Sequence, residues 1–71
     1  MKINLNTDVE LTTLVTLSDG KFIDKIALYK NEHKEYVVKG RYFTSPDVYG
    51  WCTLFASYNL KDAKHYANQF I

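Results

Sequence analysis

The last twelve residues, LKDAKHYANQFI, repeat apolar positions at helical spacing. Leu60, Ala63, Ala67 and Phe70 fall on one stripe, flanked by Tyr66 and Ile71. Asn59 suits the N-cap, and Asp62 places a carboxylate in the first turn, where the helix end is positive. Lys61, Lys64, His65 and Asn68 fall on or near the wet side. This spacing predicts a C-terminal helix.

Upstream the period shortens. KFIDKIALYK and EYVVKGRYF are rich in β-branched and aromatic residues and read as strands. The polar stretch Asn31-Glu32-His33-Lys34 between them suits a hairpin turn. Thr44-Ser45-Pro46-Asp47 reads as a loop, with Pro46 a strand breaker, and Gly50 opens a further strand, WCTLFAS.

Residues 7–18 admit two readings. Thr7-Asp8-Val9-Glu10 has the form of a capping box, with Leu11, Leu14 and Val15 on one helical face. Thr12, Thr13, Val15 and Thr16 are β-branched, and Val9, Leu11, Val15 and Leu17 fit an alternating strand. Ser18-Asp19-Gly20 makes a hairpin turn into Phe22. The strand reading is favoured. The expected fold is α+β: an antiparallel meander of three to four strands with the C-terminal helix packed on one face, as a single domain over residues 1–71.

Alternation then assigns faces. In WCTLFAS, Cys52, Leu54 and Ala56 share one face, and Trp51, Thr53 and Phe55 the other. The small residues suit close approach of the helix, which would turn Trp51 and Phe55 away from it. The opposite facing, with Trp51 in the core, stays open. In the preceding strand, Val37, Lys39, Arg41 and Phe43 form a mixed basic and apolar face. One helix covers one side of a sheet, so this second face would need the N-terminal segment, a second copy or a partner to cover its apolar part.

Composition narrows the function classes. A 71-residue chain buries only about 60% of its unfolded surface, and one cysteine, Cys52, excludes an internal disulfide. The lone cysteine fits a reducing, cytoplasmic setting. The opening MKINLNTDVEL reads as no signal peptide, and no run approaches a membrane span. Nine Lys and Arg against eight Asp and Glu weigh against a dedicated nucleic-acid binder. Six Tyr, four Phe and one Trp are an excess that suits either a small core or a binding surface.

Candidate chemistry is sparse. His33 falls in a turn and His65 on the wet face of the helix, with no second ligand at metal spacing. Cys52 lies mid-strand, where an inert thiol is the common case. Gly20, Gly40 and Gly50 are scattered and make no phosphate loop. No cofactor, metal or catalytic residues are expected, and the chain reads as a binder and not an enzyme.

Lys39, Arg41, Phe43, Trp51 and Phe55 could also form a basic and aromatic face on which bases stack. With a helix first, the order of elements resembles the double-stranded-RNA-binding domain, and Lys61-Asp62-Ala63-Lys64 echoes its lysines at the start of the last helix. The sheet-then-helix tail is similar to the small DNA-binding arms of phage integrases. Neither likeness extends to a family signature. The expected function is a protein–protein interaction module, of the kind found among phage and mobile-element regulators and inhibitors that bind a larger host protein. Its anchors would be Trp51, Phe55, Arg41, Lys39 and Phe43, with Tyr49 projecting from the loop as a second element. A nucleic-acid-binding module and a homodimer with Trp51 at a two-fold contact are the alternatives.

Overall fold

The computed structural model describes residues 3–71. Four strands run in chain order: β1 (Thr7–Thr16), β2 (Phe22–Lys30), β3 (Tyr36–Ser45) and β4 (Val48–Ser57), followed by α1 (Leu60–Asn68). The sheet is an antiparallel meander, β1-β2-β3-β4, so β1 and β4 are its edges. The expected α+β fold is present, with the helix packed against β2, β3 and β4.

Residues 7–16 are a strand, and the local chemistry explains why the capping box is not used. The Thr7 hydroxyl donates to the Asn4 carbonyl at 2.6 Å and accepts from the Asn4 amide at 3.3 Å. It therefore closes the turn before β1 and is not free to cap a helix. Val9, Leu11, Val15 and Leu17 then reach the core on alternate positions. The helix-first order, and with it the likeness to the double-stranded-RNA-binding domain, is ruled out by this strand.

Each turn follows from its residues. Gly20 takes φ +88° between β1 and β2, a region glycine enters without a Cβ penalty. Between β2 and β3, the Asn31 side-chain oxygen accepts from the His33 and Glu35 amides, both at 2.9 Å, while Lys34 sits at φ +64°. The third connection is tighter than the sequence suggests. Ser45 pairs directly with Val48, so only Pro46 and Asp47 lie in the loop and Tyr49 belongs to β4.

The core lies between the sheet and α1. Ile3, Ile23, Ile26, Leu28, Val38, Ala63 and Ala67 are all essentially buried there. Ala63 and Ala67 let the helix approach closely, as the stripe implied. Gly40 leaves room on β3 for the neighbouring strands' side chains: a Cβ at that position would meet Ile23 and Leu54 at 3.0 Å. Asn59 caps the helix by accepting from the Lys61 amide at 2.9 Å.

The N-terminal segment joins this same side. Ile3 is buried, and its amide donates to the Asn68 side chain at 3.0 Å. Ile3 and Leu5 therefore lie on the helix side and do not cover the second face of the sheet, and Asn68 is part of the docking rather than a solvated helix residue.

Candidate functional site

The face of the sheet opposite α1 can be built from register. β3 turns Tyr36, Val38 and Tyr42 toward the helix, so Val37, Lys39, Arg41 and Phe43 point the other way. Their partners on β4 are Ala56, Thr53, Trp51 and Tyr49, and on β2 they are Tyr29, Ala27, Lys25 and Phe22. Asp8 and Glu10 extend this face onto β1, opposite Ala27 and Lys25.

One predicted member is missing. Val38 pairs with Phe55, but the next residue, Lys39, pairs with Thr53, leaving Leu54 as an extra residue on β4. This bulge reverses the facing of everything after it. Phe55 lies on the helix side, stacked on Tyr66 at 4.7 Å with the rings 10° apart, and Tyr66 meets Phe70 edge-on at 5.4 Å. Ala56 takes the place on the open face that strict alternation assigned to Phe55. The expectation that Phe55 shares a face with Trp51 is thus corrected. Cys52 and Leu54 do lie toward the helix.

Trp51 is on the open face and 45% exposed, so it is not a core residue. Tyr49 is 55% exposed beside Phe43, with ring centroids 5.8 Å apart, and Phe43 stacks on Phe22 at 5.7 Å. These three rings cross β2, β3 and β4 as an aromatic row at one end of the face. Trp51 and Tyr29, with Ala27 and the rim residues Asn6, Thr7 and Asp8, line a shallow, open concavity of about 350 Å³. Tyr29 carries Lys39 above its ring at 5.6 Å. Tyr29, Phe22, Asp8 and Asp24 are members of this face that sequence reasoning missed. Alternation along FIDKIALYK could have found Tyr29.

The charges on this face are mostly paired. Arg41 holds Asp24 through two hydrogen bonds, Nε to Oδ1 at 3.0 Å and Nη2 to Oδ2 at 2.6 Å. The same guanidinium lies 4.8 Å from the Tyr49 ring centroid. Lys25 lies between Asp8 at 3.6 Å and Glu10 at 3.9 Å. The face is therefore close to neutral, with Arg41 held in a single orientation between a carboxylate and a ring.

The Arg41 bonds hold the Asp24 carboxyl below its usual range, offset in part by desolvation. A depressed folded-state pKa adds stability above the unfolded value, near pH 4, and that stability is lost as pH falls through the folded value. Asp24→Asn is accordingly expected to be less stable than wild type at neutral pH. The gap should close as urea midpoints are followed down to about pH 2. A gap independent of pH would mean that the bond contributes nothing specific to ionisation.

The remaining candidates stand apart. His65 is exposed on α1, and His33 lies 3.6 Å from Glu32 in an exposed turn. Among the described residues no cluster of three or more His, Cys, Asp or Glu could hold a metal ion. No helix among them is long and apolar enough to cross a membrane. Comparison with known proteins assigns no relative: no family model matches the chain, and no curated protein or solved structure matches it significantly.

Proposed function

We propose that this chain is a protein–protein interaction module that docks through its open sheet face, acting as a small regulator or inhibitor of a larger protein in a reducing, cytoplasmic setting. The observation that carries this reading is one whole sheet face, uncovered by helix or N-terminal segment, with Trp51, Tyr49 and Phe22 exposed together. Exposed aromatic groups gathered on one surface mark interaction sites in small domains, and Trp, Tyr and Arg are the residues enriched at interface hot spots. Arg41, pinned by Asp24 and Tyr49, would meet a partner with little further loss of side-chain freedom. The concavity beside Trp51 and Tyr29 is open and shallow, better suited to one projecting side chain than to an enclosed substrate.

The paired charges argue against nucleic acid as the partner. Arg41 and Lys25 already face carboxylates, so phosphate contacts would have to displace them. Lys39 lies over Tyr29, so among the described residues of this face no cation run is left free of a carboxylate or a ring.

The test is capture of a partner from nuclease-treated lysate by wild type and by Trp51→Ala, followed by titration of the isolated pair. Trp51→Ala is expected to stay folded and to bind the partner about 30-fold or more weakly, the loss of about 2 kcal/mol typical of a hot spot. Affinity should change little with salt. A steep fall with salt and recovery of nucleic acid without nuclease would establish the alternative, a nucleic-acid-binding face.

A further inference from the structure

The edges of the sheet differ in a way that the open face does not explain. Edge strands expose unpaired amides and carbonyls, and soluble proteins guard them with charges, proline, bulges or broken pairing. β1 is guarded by Asp8 and Glu10 and by the loss of register between Glu10 and Val15. β4, VYGWCTLFAS, has no charged residue and no proline, alone among the four strands. Among the described residues no backbone bond reaches its outer side. Its bulge at Leu54 guards only the far end, leaving Tyr49–Thr53 in unbroken register with β3.

We infer that β4 pairs with β4 of a second copy, antiparallel about a two-fold axis, joining two sheets into one of eight strands. A strand that meets itself places its own charges against each other, and the absence of charge on β4 removes that obstacle. Opposed residues in an antiparallel pair share a face, so a two-fold axis sets one residue against its own copy. The centre of the regular run Tyr49–Thr53 is Trp51. The backbone and Cβ of Trp51 would then face their own copies across the axis, while the ring leans inward over the sheet to the concavity with Tyr29 and Ala27. The joined open faces would form one surface twice as wide. This inference does not depend on the partner reading above, because mass and capture are separate measurements.

The experiment is light scattering across a dilution series, with Trp51→Lys, Trp51→Glu and their equimolar mixture. Wild type is expected at twice the mass of the 71-residue chain, falling to the single-chain mass on dilution. Each variant alone should have the single-chain mass with an unchanged circular dichroism spectrum, because its new charge faces its own copy. The mixture should recover the doubled mass, since Lys then faces Glu. Amide exchange locates the contact: the outward amides within Tyr49–Thr53 should be protected in the wild-type dimer and unprotected in either variant alone. A wild type that stays single at all concentrations overturns the inference, as does a mixture that stays single. A doubled mass with those amides exchanging freely also overturns it and moves the association to the open face.

Discussion

Leu28→Ala is expected to lose about 2–5 kcal/mol of stability, a large share of the total for a domain this small. Leu28, on β2, is fully buried in the cluster it forms with Ile3, Ile23, Ile26, Val38, Ala63 and Ala67. The substitution removes apolar area and leaves a cavity that the surrounding sheet cannot fill. At about 0.05–0.15 kcal/mol per residue, a domain of this size has a total stability of only about 4–11 kcal/mol. There is no disulfide among the reserves, since Cys52 is free.

Urea unfolding measures the loss directly. Leu14→Ala is the control, because Leu14 lies half exposed in the irregular stretch of β1. It should shift stability by no more than about 0.5 kcal/mol. Equal losses at Leu28 and Leu14 would mean that the helix-side cluster is not the principal core.

The second large effect separates two aromatic residues four positions apart. Phe55→Ala should cost about 2–4 kcal/mol, combining lost burial with the lost ring contact to Tyr66. Trp51→Ala should cost less than about 1 kcal/mol, because Trp51 lies on the open face, outside the cluster beneath α1. The contrast tests the bulge at Leu54. Without it, strict alternation would place Phe55 beside Trp51 on the open face and Ala56 beneath the helix. Thermal or urea unfolding of the two variants decides the matter: the reverse order of losses would put Trp51 in the core and remove it from any surface.

Much of the architecture was legible in the chain. The helix, its Asn59 cap and its Ala63 and Ala67 stripe follow from spacing and from hydrogen bonds within a few residues. The turns at Gly20 and Asn31 follow for the same reason. The direction of Val37, Lys39, Arg41 and Phe43 was legible because β3 contains no extra residue between them. Trp51, Arg41, Lys39, Phe43 and Tyr49 do share the open face. Tyr49 does so as a strand residue, because the Pro46-Asp47 connection is shorter than expected.

Phe55 was not legible. Nothing within YGWCTLFAS marks Leu54 as an extra residue, since a bulge exists only relative to the strand it pairs with. Nor was Asp24 legible as the holder of Arg41, seventeen residues away in sequence. That pairing depends on a second register shift, between Ile23 and Lys25. Ile3 was missed because the alternation of Ile3 and Leu5 with Asn4 and Asn6 is too short to assign the segment to a face, and the Ile3 amide is held by the far end of the chain at Asn68.

The sequence by itself determined the type and order of the three later strands and the helix, because propensity, capping and alternation act between near neighbours. Residues 7–18 stayed open between strand and helix, and the Thr7 hydroxyl closing the turn at Asn4 decided for the strand. Tertiary structure decided which side of the sheet each β4 residue occupies, which edge is left unguarded, and where the N-terminal segment lies. Those outcomes depend on strand pairing and on competition for one buried face, and both are set by residues distant in the chain.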